Sequence, residues 1–338
     1  MQITLLVPGL SWPREILRDT VSGLDLPALS TMLGRASVRR LPEPPDAWLA
    51  RAFGLGEKGA PLPAAPLRLL NEGGAPGNDE WLCLDPVHLR LEARTAHAVM
   101  LDDPALLTLA EEEDAALRQA VAPIFSGFGE LSDETAAASP GRWHLRLSRP
   151  AGIESQPLAD GVGRAVTPDL PAGPQGAQWR RLLAEAQTLL FDHPVNRARR
   201  EAGRPVVNSL WPWGEGRLPA HVATPFDAVL CDDPVIKGLA RAANISSAGV
   251  PPAFDRRPGR VLVKLEHLVE PTRTFDATAW RDALARLERD WFAPALASRC
   301  RLRLWAGAEE GGFEADFFPF DRWKFWRRPQ PLTVLTQP

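Results

Sequence analysis

Four short clusters in this sequence hold the residue types that chemistry at a site requires. Asp85-Pro-Val-His88 sets a carboxylate and an imidazole three positions apart, a pair that at a strand end could hold a metal ion or a phosphate. The same residues also read as a turn cap with a packed imidazole beside it. His193-Pro-Val-Asn196-Arg-Ala-Arg199-Arg200 carries three arginines within four residues. Guanidinium forks match phosphate and carboxylate groups, although a solvated helix end has a similar composition. Asn208 and the segment Trp211-Pro-Trp213-Gly214-Glu-Gly216 close an apolar run, where an open α/β sheet takes its ligands. Gly214 and Gly216 permit close backbone approach there, but the spacing is not GxGxxG, so no dinucleotide is implied. Asp232-Asp233-Pro-Val-Ile-Lys237 puts two acids ahead of a helix, as a divalent-ion pair or as a helix N-cap. No serine lies in a GxSxG elbow, no HExxH occurs, and without tyrosine no phenol can serve as nucleophile or acid.

The elements that must position these clusters follow from hydrophobic periodicity. Apolar runs predict strands at Ile3–Val7, Val206–Trp213, Ala228–Cys231, Val261–Leu265 and Arg301–Ala306. Trp81–Leu91 predicts two short strand pieces around Pro86, and Arg142–Leu147 alternates as a further strand. Helical spacing appears at Leu26–Gly34, Ala47–Phe53, Asp103–Val121, Gln178–Asp192, Val235–Ala243 and Ala277–Ala297. Pro42–Pro76 is otherwise rich in Pro, Gly and Ala and reads mostly as loop. Strands alternating with helices predict an α/β protein with a doubly wound, mostly parallel sheet. The alternation lapses near 96–175, which predicts an inserted smaller domain there and a core built from 1–95 and 176–338.

Composition limits the function classes. Hydrophobic residues make up 45% and charged residues 24% of 338 positions, ordinary values for a globular chain. No run approaches the roughly 20 apolar residues of a membrane span, and the first residues lack the basic region of a signal peptide. Three widely spaced cysteines, Cys83, Cys231 and Cys300, argue for a reducing, cytoplasmic setting and against a disulfide framework. A net charge of −3 gives no global case for nucleic-acid binding. The segment FEADFFPFDRWKFWRRPQP from Phe313 interleaves aromatic and basic residues, a pattern that could stack bases or rest on a membrane surface. The expectation is that its rings close over a core edge while its arginines reach solvent.

Taken in order, WLCLDPVHLRL, GRWHLRL, HPVNRARREAGRPVVNSLWPWGEG and PVIKGLARAANI resemble the archaeal-type cofactor-independent phosphoglycerate mutases of the alkaline-phosphatase superfamily. More narrowly they resemble the bacterial group of RpfE-type regulatory proteins. The wider resemblance implies an alkaline-phosphatase-like sheet with an inserted domain and two divalent ions at the active site. It also implies an Asp-Gly metal-ligand step after the first strand, where this chain has Pro8-Gly9. The implied Gly-Ser-Asp nucleophile triplet has Pro44-Pro45-Asp46 as its nearest counterpart, without the serine. The implied late ligands would fall in Glu266–Thr272 and at Gly307–Glu310, whose spacing does not reproduce them. Proline has no side-chain oxygen with which to ligate a metal or attack phosphorus.

The resulting expectation is a catalytically silent mutase-like protein in a regulatory role. Asp85, His88, Asn196, Arg199, Asn208 and Lys237 would form an anion pocket for a phosphorylated small molecule, or a protein partner would bind, with no metal or other cofactor. The alternative is a metal-dependent mutase or phosphatase using Mn or Zn on relocated ligands: Asp85, His88, Asp232 and Asp233.

Overall fold

The computed structural model describes all residues except 12–13, 42–44, 56–61, 93–97, 136–138, 168–169, 309–310 and 337–338. Among the described residues thirteen strands run in the order β1 (Gln2–Leu6), β2 (Ser37–Leu41), β3 (Glu80–Val87), β4 (Leu89–Glu92), β5 (Ala98–Leu101), β6 (Gly129–Leu131), β7 (His144–Leu147), β8 (Ser209–Arg217), β9 (Ala228–Leu230), β10 (Ser246–Ala248), β11 (Arg260–Lys264), β12 (Arg301–Ala308) and β13 (Gly311–Phe317). The chain divides into two compact units, 1–61 with 221–338, and 62–220. These limits differ from the expected 1–95 with 176–338 and 96–175, because β3 and β8 pair with each other inside the second unit.

The first unit is an α/β layer structure. Its sheet has the order β10-β9-β11-β1-β12-β13-β2. The strands from β10 through β12 are parallel, and β13 and β2 add an antiparallel edge. Parallel strands at the centre must be apolar on both faces, and β1 is: Ile3, Leu5 and Val7 join one core while Leu6 is equally buried on the other side. The first core is filled by Leu29, Met32 and Leu33 of the helix Pro27–Arg35 and by Trp280, Leu284 and Leu287 of the helix Ala277–Leu287. On the opposite face Trp48 packs on Trp305, with ring centroids 5.5 Å apart. The expected single helix from Ala277 to Ala297 contains a π-turn at Glu288–Phe292. It sets the Glu288 carboxylate on the Ala28 and Leu29 amides, at 2.5 and 3.1 Å, at the start of the helix Pro27–Arg35.

The second unit departs further from expectation. Its four-stranded sheet, β6-β7-β3-β8, is antiparallel throughout, and β4 and β5 form a separate hairpin. The helices Glu111–Phe125 and Gly176–Asp192 supply Leu117, Val121, Phe125, Trp179, Leu183, Ala186 and Leu190 to its core. Trp211–Gly216 lies within β8 and not beyond a parallel strand's end; Trp211 and Pro212 instead help line a cavity of about 280 Å³ with Leu89, Gln187 and Ser209. An apolar run specifies burial but not the direction of its partners, so the mostly parallel sheet expected from the alternation of strands and helices does not extend to β3 and β8.

Candidate ligand site at the sheet edge

In the first unit, parallel strands deliver their following residues to one edge, the position where open α/β sheets bind ligands. β9 runs into Cys231-Asp232-Asp233 and the helix Pro234–Ala242. Asp233 caps that helix, its Oδ1 accepting from the amides of Val235 at 2.8 Å and Ile236 at 3.3 Å, with Pro234 at the first helical position. The neighbouring β11 ends at Lys264 and continues into Leu265-Glu266-His267. A cleft of about 270 Å³ opens here, lined by Asp232, Lys264, Glu266 and His267 with Val250, Pro251 and Pro252 as its apolar wall.

Lys264 is the centre of this edge. Its Nζ donates to Asp233 Oδ2 at 2.6 Å and lies 2.8 Å from Glu266 Oε1. Burial works against its charge, but Asp233 and then Glu266 outweigh that and raise the ammonium pKa well above its usual value. Burial likewise opposes ionisation of Asp233, and the Lys264 ammonium with the helix amides overcomes it, holding the carboxyl below its ordinary range. Burial lowers the pKa of His267, with Arg286 acting in the same direction. Lys237 stands 3.9 Å from Asp232, which faces solvent.

The pair of divalent ions implied by resemblance does not fit this donor set. After β1 comes Pro8-Gly9; Gly9 keeps a left-handed φ of +78°, and its carbonyl accepts from Trp280 Nε1 at 2.9 Å, but no carboxylate stands there. Asp233 has one oxygen on the helix amides and the other on Lys264, and Glu266 is paired with the same ammonium. Among the described residues no three His, Cys, Asp or Glu side chains converge as metal ligands. Pro44 and Glu309–Glu310 lie outside the described residues.

Of the six expected anion-pocket residues, only Lys237 lies in the first unit. The other five are in the second, each with partners inside the protein. Asp85, 1% exposed, forms a bidentate pair with Arg68 at 2.6 and 2.8 Å and accepts from Trp213 Nε1 and the Trp143 amide. His88 Nδ1 is 2.8 Å from the Val206 carbonyl. Asn208 makes two bonds to the backbone of Leu89. Asn196 donates to the carbonyls of Leu190 and Val207 and accepts from the Val207 amide, clamping the helix Pro194–Glu201 to the approach of β8. Arg199 is buried, with Nε on the Pro205 carbonyl, one terminal nitrogen 2.6 Å from Glu113 and the other on the Leu107 carbonyl. They therefore do not assemble an anion pocket: their polar atoms hold backbone or neutralise buried charge. The relocated ligand set fares no better, since Asp85 is taken by Arg68.

Two residues absent from the sequence reading organise these sites. Arg68 sits on the helix Ala64–Asn71, inside a stretch read as loop, although AAPLRLLN has a helix's apolar spacing. It donates to Asp85, to the Trp143 carbonyl and to His144 Nε2 at 3.1 Å. Burial and the adjacent Arg68 keep the His144 pKa well below normal, so the imidazole is neutral. Lys264, the last residue of an otherwise apolar strand, was visible as a charge at a strand end.

No family model matches the chain. Over 102 residues it is 34% identical to the 2,3-bisphosphoglycerate-independent phosphoglycerate mutase of Methanosarcina barkeri, covering 29% of this chain and 25% of that protein. The corresponding protein of Methanococcus vannielii is 34% identical over 103 residues, 28% of this chain and 25% of its own length. The similarity thus spans about a quarter of the length of these curated relatives. The cofactor-independent phosphoglycerate mutase of Thermoplasma acidophilum superposes with a TM-score of 0.50 at 16% identity, covering 99% of this chain and 94% of that one. A Pyrococcus horikoshii protein gives a TM-score of 0.58 at 13% identity, covering 98% and 91%. The chain is therefore phosphoglycerate-mutase-like, in its fold and in one stretch of its sequence.

Proposed function

We propose that this chain is a catalytically silent relative of the mutases, which binds a phosphorylated small molecule at the sheet edge in a regulatory role. The observation that carries this reading is the Lys264 ammonium lodged between Asp233 and Glu266. A fixed cation in that position leaves no place for an exchangeable one, and phosphoryl transfer in the metal-dependent mutases needs metal charge on the transferring oxygens. The resemblance to RpfE-type regulatory proteins supports a signalling role over a metabolic one.

The ligand must satisfy both charge signs. Asp232 and Glu266 line the cleft with carboxylates that accept hydroxyl hydrogens, and Lys237, outside that lining but 3.9 Å from Asp232, offers an ammonium beside it. A phosphorylated hydroxy acid, with its phosphate on Lys237 and hydroxyls toward the carboxylates, meets these demands. Calorimetric titration with phosphoglycerate is expected to give binding without interconversion of its isomers, with or without added Mn²⁺. Lys237→Ala is expected to weaken binding about tenfold, the size of one charge-assisted contact. Turnover by the wild-type protein would refute silence; unchanged affinity in the variant would remove Lys237 from the site.

A further inference from the structure

The segment Phe318–Arg328 belongs to no part of the proposed ligand site. Within the stretch from Phe313, Phe313 and Phe317 are buried and Arg327 and Arg328 exposed as expected, but the rings of Phe320, Trp323, Phe325 and Trp326 face solvent. It is fastened at both ends by the buried Phe317 and Leu332. Between them Asp321 and Arg322 turn inward, while Arg327 and Arg328 stay exposed. The buried Asp321 accepts from the Phe318 amide at 2.8 Å and pairs with Lys324 at 2.6 Å. Arg322 donates to the carbonyls of Pro319 and Leu296, and its own carbonyl accepts from Arg35. Arg327 reaches the Ala36 carbonyl. The backbone at Arg328 lies so close to Gly34 that a Cβ there would meet the Arg328 oxygen at 2.2 Å.

With the polar groups so used, the rings face water. Phe320 and Phe325 are 80% exposed, and Trp323 and Trp326 68%. Phe325 and Trp326 hold each other edge to face at 5.3 Å, so the pair is preformed. Four such rings in seven residues mark an interaction surface, since isolated apolar side chains rather than clusters are the norm on monomers.

The character of the partner follows from charge and shape. Residues 318–328 hold four basic side chains against one acid, and that acid is buried and paired, in a chain whose net charge is −3. None of the four rings lines the sheet-edge cleft; each stands out into solvent. A groove that tracks a phosphodiester strand would flank its rings with walls, and a protein hot spot would seat them in a pocket. Protruding Trp and Phe interleaved with Lys and Arg suit the headgroup layer of a membrane, where rings enter the acyl boundary and cations meet lipid phosphates. We propose that Phe320, Trp323, Phe325 and Trp326, with Lys324, Arg327 and Arg328, form a docking face for an anionic phospholipid surface. No helix among the described residues is long and apolar enough to cross a membrane, and docking at the surface needs none.

Cosedimentation of the full chain with vesicles tests this. Vesicles of equimolar phosphatidylcholine and phosphatidylglycerol are expected to bind the protein, phosphatidylcholine alone far less, and high salt to release it. The triple variant Trp323→Ala, Phe325→Ala, Trp326→Ala is expected to lower partitioning at least about tenfold, given the apolar area withdrawn. Arg327→Glu with Arg328→Glu is expected to abolish the preference for anionic vesicles. Because these side chains are exposed, both variants should unfold at the wild-type temperature, which is measured alongside. Four results would each overturn the proposal: no vesicle binding, undiminished binding by the folded triple variant, saturable binding of a single-stranded oligonucleotide without vesicle binding, or a wild-type dimer that the triple variant dissociates.

Discussion

Asp85→Ala is expected to destabilise the protein by about 3–5 kcal/mol, the cost of stranding one partner of a buried ion pair. The substitution leaves the Arg68 guanidinium, 3% exposed, facing the gap, with the Trp143 carbonyl, His144, the Trp213 ring and the more distant Glu72 for compensation. It also removes the acceptor for Trp213 Nε1 and for the Trp143 amide. Asp85→Asn keeps the shape but turns one acceptor into a donor facing donors, so it should retain little of the lost stability. Urea unfolding of the three proteins checks this. Wild-type stability in Asp85→Ala, with a loss of ligand affinity instead, would return Asp85 to a binding role.

Arg199→Ala should cost about 2–4 kcal/mol for a related reason. Its guanidinium is the common partner of the Pro205 and Leu107 carbonyls and of Glu113, joining the start of the helix Glu111–Phe125 to the turn that leads into β8. Removing it strands the carbonyl of the buried Leu107, frees that of Pro205, and leaves a void where one of the largest fully buried side chains sat. Glu113 keeps Arg204, at 3.3 Å, so the loss at that carboxylate is partial. Arg199→Lys keeps the charge without the planar fork and should recover only part of the loss. The same unfolding measurement decides between this role and ligand recognition: an anion-binding residue would lose affinity with stability unchanged.

The sequence carried local structure well and pairing poorly. Helices at Leu26–Gly34, Gln178–Asp192 and Val235–Ala243 lie within a few residues of the observed Pro27–Arg35, Gly176–Asp192 and Pro234–Ala242, because an amphipathic stripe and a cap are local signals. Asp233 was legible as a helix cap for the same reason. The direction of β3 and β8 was not, since apolar strands of either kind look alike. Nor were the partners of Asp85 and Arg199. His88 is Asp85's neighbour in sequence, yet the charge on Asp85 is met by Arg68, seventeen positions away on a helix hidden among prolines and glycines. The aromatic stretch from Phe313 was legible in part: Phe313 and Phe317 are buried and Arg327 and Arg328 exposed, whereas the rings from Phe320 to Trp326 face solvent while Asp321 and Arg322 partner backbone groups.

On the proposed reading, Lys264 supplies from within the chain the positive charge that a divalent ion would bring to the sheet edge. The most direct measurement is thermal unfolding of wild type and Lys264→Ala in the presence and absence of excess Mn²⁺ or Zn²⁺, with metal content determined on the same samples. Wild type is predicted to be metal-free and indifferent to added metal. Lys264→Ala, which frees Asp233 and Glu266, is predicted to be less stable alone and to recover with metal. A wild-type protein that retains one or two ions per chain, or gains the ~3 kcal/mol that saturation at a hundredfold excess over Kd confers, would contradict the account.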